Sequence, residues 1–218
     1  MTEKSWIDYY DDGDGYTNEH KRWLEKFEYN GYNQMVKYED TGEGEVNAEY
    51  KYDAIGRRAS KKVDGYTTTH RWDGSNIVGE SGTRAGTYYR GMNLIGENRN
   101  NTVNYYVNDG HGNITALTNA NGTTAGKRDY SAYGNMTTLG GEMNTVFNYC
   151  GEYQDSESGM IYLRNRYYSI SMCRFTQEDP ARDGLNWYAY CGNNPVNFID
   201  PWGLDPDNYV MENIVSKK

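Results

Sequence analysis

The chain repeats one short unit, and this repeat restricts the fold more than any other feature of the sequence. Residues 29–35, 52–58 and 130–136 each begin with a tyrosine, continue with small or polar residues and contain a glycine. Further hairpin signals are Asp-Gly and Asn-Gly pairs, which tolerate the positive φ angles of tight turns, at residues 64–65, 73–74, 109–110 and 121–122. The pattern predicts a string of β-hairpins in which each unit buries its face against its neighbours.

Composition supports short strands. The 218 residues include 23 tyrosines and 25 glycines, enough for one large domain or two small ones. Because a tyrosine ring is apolar while its hydroxyl can stay wet, we expect an aromatic but shallow core. Residues 17–27 suit a helix and a long strand equally well. All four prolines lie beyond residue 179, so we expect an irregular structure from there.

Charge and cysteine content exclude several classes of function. The net charge is −9, and residues 1–53 hold 14 of the 31 acidic but only 6 of the 22 basic residues. This imbalance argues against a nucleic-acid partner and favours a solvated acidic strand edge over a cation site. The three cysteines form no C-x-x-C pair and the three histidines are scattered, so neither metal nor cofactor is expected. The chain has no signal-peptide pattern and no apolar run of membrane-spanning length, so alone it is expected to be cytoplasmic.

An ordered set of motifs from about residue 50 to residue 204 resembles the RHS/YD-repeat family, including its RHS repeat-associated core. The set comprises Tyr-Asp units and core elements at residues 50–58, 72–78, 89–91, 106–114, 151–155, 159–168, 174–180, 186–190, 193–195 and 200–204.

This resemblance implies an all-β fold, in which antiparallel hairpins form a curved sheet or partial shell closed by an irregular C-terminal plug. It divides the chain into an acidic segment with degenerate repeats (1–49), a hairpin sheet (50–149), the associated core (150–204) and a variable tail (205–218). Family members enclose a C-terminal toxin that is exported for competition between cells. The expected partners are further repeats of a parent chain, a C-terminal effector and its immunity protein, in a secreted or cell-surface protein. The alternative function is a module that binds carbohydrate or a neighbouring cell.

Many family members cut their own chain after the leucine of Asp-Pro-x-Gly-Leu, and the resemblance assigns that reaction to Asp179 and Asp200, with the cut after Leu204. A carboxylate pair hydrolyses a peptide bond when one acid is ionised and the other protonated. The alternative is that both aspartates are turn residues. Whichever role the aspartates have, the protein is expected to be at most a self-cleaving aspartic-type autoprotease, with no independent metabolic activity. Further motif residues are Pro195, Pro201 and Gly203. At Gly203, the missing side chain lets the backbone approach the acid.

Three arginines lie near these motifs in sequence, namely Arg164, Arg166 and Arg174. They suit two roles, either support of the carboxylates or cross-strand ion pairs. We expect Trp187, Phe198 and Trp202 to shelter the acids, and Cys173 and Cys191 to be buried as hydrophobes.

The sequence departs from the family pattern in four places. Ser169-Ile170 replaces Asp-Pro, Cys173 replaces glycine, Arg182 stands where the first Asp-Pro motif would have glycine, and only 14 residues follow Leu204. Since 14 residues are too few for a toxin domain, the effector is expected to be absent here.

Overall fold

The computed structural model describes residues 25–42, 45–91, 93–182 and 184–205. Within them, twelve strands form one large sheet: β1 Glu25–Tyr29, β2 Met35–Asp40, β3 Val46–Tyr52, β4 Arg58–Val63, β5 Tyr66–Asp73, β6 Asn76–Gly82, β7 Gly86–Arg90, β8 Leu94–Arg99, β9 Thr102–Asn108, β10 Ile114–Asn119, β11 Thr124–Tyr130 and β12 Met136–Gly141. Four further strands form a small sheet: β13 Tyr153–Gln154, β14 Ile161–Leu163, β15 Arg166–Ser169 and β16 Arg174–Phe175. Two 3₁₀ turns span Tyr149–Gly151 and Cys191–Asn193.

Strand order in both sheets follows chain order, and every pairing is antiparallel between neighbours in sequence. The large sheet is open, with β1 and β12 as its outer strands. The prediction of an antiparallel, open all-β fold is therefore confirmed. Of the segment that suited helix or strand, residues 25–27 belong to β1, and residues 17–24 lie outside the described residues.

Five turns share one hydrogen-bond pattern. The backbone N–H of the first residue donates to the carbonyl of the residue four positions later. That later residue donates its own N–H to the side-chain oxygen of the first residue. The turns begin at Asn30, Asp53, Asp109, Asn119 and Ser131. A short polar side chain is needed because only its oxygen reaches back to the turn N–H. This requirement explains the repeated sequence unit.

The C-terminal plug, residues 150–204, shares its core with one face of the large sheet. Tyr153 packs with Ile77 and Tyr88 of the sheet, while Tyr162 and Tyr167 pack with Phe27, Met35 and Tyr38. A third cluster lies within the plug and its preceding turn, around Tyr149, Tyr168, Phe175 and Tyr190. The sheet and the plug therefore bury each other.

The expectation of shallow aromatic burial is wrong. Tyr38, Tyr153 and Tyr168 are 1%, 1% and 0% exposed. Their hydroxyls have protein partners instead of bulk water: Tyr153 donates to Glu80 at 2.6 Å and Tyr168 to the carbonyl of Tyr133 at 2.8 Å. Acceptors on the facing sheet or on neighbouring hairpins allow the whole ring to enter the core.

In the part of the chain that the structure describes, no helix is long and apolar enough to cross a membrane.

Candidate functional site

Arg166 on β15 organises the end of the plug. Its guanidinium donates hydrogen bonds to the carbonyls of Gly203, of Leu204 at 3.2 Å and of Trp187 at 3.0 Å. The guanidinium also lies 3.7 Å from the ring centroid of Phe175, which covers one of its faces. One buried arginine thus holds the carbonyls of the two peptide groups on either side of the Leu204 Cα atom.

The same arginine faces both candidate acids. Its Nη2 atom lies 3.7 Å from Oδ2 of Asp179 and 3.7 Å from Oδ2 of Asp200. The two carboxylate oxygens are therefore no more than twice that distance apart, although 21 residues separate them in sequence. A cleft of about 290 Å³ is lined by Arg166, both aspartates, Leu204 and Asp205. Acids, arginine and the Leu204–Asp205 peptide therefore share one cavity.

The two Asp-Pro motifs form similar backbone turns, although their side-chain bonds differ. Asp179 Oδ1 accepts the N–H of Ala181 at 2.7 Å, and Asp200 Oδ1 accepts the N–H of Leu204 at 3.0 Å. In both motifs the fourth residue donates its N–H to the aspartate carbonyl. That residue has a left-handed backbone in each case, with φ of 54° at Arg182 and 62° at Gly203. The first turn therefore keeps its shape without the family glycine. Both aspartates are turn residues as well as neighbours in the cleft.

Burial sets the protonation of the second acid. Asp200 is 2% exposed, and loss of hydration raises its pKa to about 6, although the Leu204 N–H and the Arg166 charge both oppose the rise. Burial likewise lowers the pKa of Arg166, while Asp179 and Asp200 counteract that effect. Asp200 can therefore carry a proton at mildly acidic pH and release it near neutrality.

Gly203 also fits closely against a neighbouring turn. A Cβ atom here would lie 2.8 Å from the carbonyl oxygen of Leu163 and 3.1 Å from the nitrogen of Arg166. The glycine therefore allows close approach to the β14–β15 turn, while its own backbone N–H also reaches Asp200, and its positive φ suits the Asp200 turn. This approach places the next residue, Leu204, beside Asp200 and Arg166.

Arg164 and Arg174 make their contacts with groups other than Asp179 and Asp200. Arg164, in the β14–β15 turn, bonds the carbonyls of Pro201 and, at 3.0 Å, of Ser75, so it ties the plug end to a sheet hairpin. Arg164 also pairs with Glu152 at 3.0 Å. Arg174 lies over the ring of Tyr188 at 4.5 Å. Only Arg166 of the three arginines contacts the acids.

The aromatic residues expected to shelter the acids make other contacts. Trp202 is 47% exposed and lies over Arg164, and Phe198 packs in the plug core. Trp187 contributes its carbonyl, which accepts bonds from Arg166 and from the Asp179 N–H. Phe175, which the sequence interpretation missed, covers the guanidinium. Its signal was the Arg-Phe pair before the first Asp-Pro motif.

The remaining candidate residues have simple surroundings. Pro195 is buried after the Cys191–Asn193 turn. Cys191 is buried, whereas Cys173 is only partly buried, with φ of 54° at the position where the family has glycine. No cluster of metal-binding side chains occurs among the residues described.

Comparison with known proteins identifies the family. The sequence profile of the Teneurin YD-shell matches residues 2–196. The chain belongs to this family. The match confirms the resemblance to RHS/YD-repeat proteins. It also supports a structural role for this chain, as a segment of the shell together with its core.

Relatives of this YD-shell include toxins. The tRNA3(Ser)-specific nuclease WapA of Bacillus spizizenii is 34% identical over an alignment of 178 positions that covers 74% of this chain and 8% of that protein. The double-stranded DNA deaminase toxin A of Burkholderia cenocepacia is 24% identical over an alignment of 220 positions that covers 83% of this chain and 15% of that protein. A crystal structure of TcdB2-TccC3-TEV shares the fold with a TM-score of 0.65 at 20% identity, over 83% of this chain and 10% of that one.

Proposed function

We propose that residues 150–204 are the plug of a secreted or cell-surface RHS shell, and that the plug cuts its own chain after Leu204. The contact of Arg166 with both acids and with the Leu204 carbonyl carries this proposal. In the parent protein the cut releases a C-terminal effector, which an immunity protein neutralises in the producing cell. Relatives named as a nuclease and a deaminase toxin support an effector of that kind.

The proposed reaction is hydrolysis by a carboxylate pair. Asp179 removes a proton from water while the water oxygen adds to the carbonyl carbon of Leu204. Arg166 Nη2 donates to the carbonyl oxygen and stabilises its developing negative charge. Asp200, with a pKa of about 6, gives its proton to the nitrogen of Asp205. The C–N bond then breaks and leaves a carboxyl group on Leu204 and an amine on Asp205.

Intact-mass spectrometry tests the reaction directly. The purified chain should slowly lose residues 205–218, and Asp179→Asn and Asp200→Asn should each stop the loss. Asp109→Asn is the matched control, because Asp109 makes a similar side-chain contact in a turn of the large sheet. A wild-type chain that stays intact through long incubation from mildly acidic to neutral pH would rule out cleavage. The aspartates would then act only as turn residues in a structural plug.

One feature of the outer sheet face favours carbohydrate binding as a second candidate function. Gly96 pairs with Tyr89 on one side and Tyr105 on the other, so the two rings flank a residue without a side chain. The rings are 42% and 44% exposed, and Ile95 and Val107 nearby are exposed to similar degrees. Exposed aromatic faces in a row can stack on successive sugar rings.

A glycan array tests this second function. Binding should be lost in Tyr89→Ala/Tyr105→Ala and kept in Tyr66→Ala, which removes a ring that is 68% exposed outside the row. Equal loss in both variants, or no glycan bound by the wild type, would exclude the surface as a sugar site.

A further inference from the structure

Three equivalent turns are followed by a completely buried residue, and one of these residues is charged. The turns that begin at Asn30, Asp53 and Asp109 have the same hydrogen bonds. The residues five positions after the start are Met35, Arg58 and Ile114, each 0% exposed. The site after this turn therefore accepts an apolar side chain, yet β4 places an arginine there.

Arg58 is surrounded by the plug. Its Nη1 atom bonds Asp155 and, at 2.9 Å, the hydroxyl of Tyr167. Its guanidinium lies 4.4 Å from the ring centroid of Tyr162 and 5.0 Å from that of Tyr153. Burial opposes ionisation of Asp155, but Arg58 and Lys61 hold its pKa at about 2. An ionised acid and its cation thus meet in the core between sheet and plug.

A second pair extends the contact. Lys61, also on β4, lies 2.8 Å from Asp155 and 2.8 Å from Glu157. The side chains of all four residues are at most 4% exposed. Both cations belong to the sheet, and both anions lie in the turn between β13 and β14. The charges therefore complement each other across one boundary.

Stability alone does not explain these charges. Removing two ions from water costs about as much as their attraction returns, so apolar residues of similar size are often as stable or more stable. Met35 and Ile114 show that this sheet builds such apolar sites. Removing one partner of a buried pair is strongly destabilising, because it leaves a buried charge without a counter-ion. The pair therefore favours the arrangement of sheet and plug in which both partners meet over arrangements in which they do not.

Because the hairpins of the sheet resemble each other, the plug could dock on more than one of them, and these charges select one position. Successive hairpins present similar aromatic faces, so a plug shifted by one hairpin would still bury apolar surface. It would place Asp155 toward an apolar site such as Met35, without a cation. We infer that Arg58 and Lys61 set the hairpin on which the plug docks, by accepting Asp155 and Glu157 only at β4.

Two variants separate register from stability. Arg58→Met leaves Asp155 buried without its arginine, and its thermal unfolding midpoint should fall by several degrees. The fourfold variant R58M/K61L/D155L/E157L removes all four charges of this cluster, and its thermal unfolding midpoint should be near or above that of the wild type. The control is Arg57→Met. Arg57 is partly exposed and contacts Asp53, the Gly74 carbonyl and the ring of Trp72, so its loss should change the unfolding midpoint little and leave a single, shifted Trp72 signal.

Fluorine NMR of chains with 5-fluorotryptophan reports the register. Trp72 donates its Nε1–H to the carbonyl of Arg58 at 2.9 Å and packs edge-on against Tyr162 of the plug. The fourfold variant should show two or more Trp72 signals, assigned by Trp72→Phe, where the wild type and Arg57→Met show one. A folded fourfold variant with a single wild-type Trp72 signal would overturn the inference. An unfolded one would do so too, since the charges would then be required for stability.

Discussion

The Oδ1 atom of Asp200 accepts a 3.0 Å hydrogen bond from the backbone N–H of Leu204. The turn that this bond closes holds the acid against the peptide that we propose it cuts. Burial of the carboxyl raises the pKa of this acid, although the bond from Leu204 opposes the rise. The bond therefore positions Asp200, whereas burial allows it to keep a proton at mildly acidic pH.

The rate of cleavage should depend on the proton of Asp200. With a pKa of about 6, the carboxyl loses that proton as the pH rises through 6, so the rate constant should fall about tenfold per unit at higher pH. Quantitative mass spectrometry of the 205–218 fragment between pH 5 and 8 measures it. A rate that climbs steadily with pH over this range would assign the acid role to another group.

Stability should depend on the same proton of Asp200. Asp200 has a pKa near 3.8 when unfolded and about 6 when folded, so the folded state binds its proton more tightly. Its favourable contribution is complete below pH 4 and is lost as the pH rises to about 6. Relative to the chain that keeps the acid, the Asp200→Asn variant should therefore gain about 3 kcal/mol in unfolding free energy between pH 4 and 7. Urea unfolding in the Asp179→Asn background measures this difference in an intact chain, and a pH-independent difference would contradict it.

Gly203→Ala should destabilise the plug and slow the cut. The new Cβ meets the Leu163 carbonyl at 2.8 Å, and alanine is also strained at φ of 62°. Gly192→Ala is the control, because Gly192 has φ of 57° but no atom within 4 Å of its Cβ position. We expect a loss of about 1 kcal/mol for the control and about 2–3 kcal/mol for Gly203→Ala. Equal losses in denaturant unfolding would show that the close approach is unimportant.

Arg182→Gly should stabilise the chain. Arg182 has φ of 54° in the turn where Gly203 has its counterpart, and its ion pair with Glu178 is largely exposed. Glycine removes the strain but makes the unfolded chain more flexible, so the net gain should be about 0.5–1 kcal/mol. Arg182→Ala, which removes the ion pair but keeps the strain, should not be stabilised, as chemical denaturation can establish.

Local features of this fold could be predicted from the sequence, whereas contacts between distant segments could not. The Asp53 and Asp109 turns follow from side chains that bond their own backbone four residues on. The buried pair of Arg58 and Asp155 joins residues 97 positions apart, and no local pattern encodes it. For the site, family order pointed to Asp179 and Asp200. The position of Arg166 between them depends on how β15 packs against the chain end.

The order of the strands has a consequence for synthesis on the ribosome. Each strand of the sheet pairs with the strand made just before it, so hairpins can form as they emerge. The carbonyls that Arg166 holds belong to residues 203 and 204, which are made last among the groups of the cleft that it contacts. The proposed cut thus cannot precede completion of the shell. Under the proposed function, the order of translation would keep the C-terminal effector attached until the shell is complete.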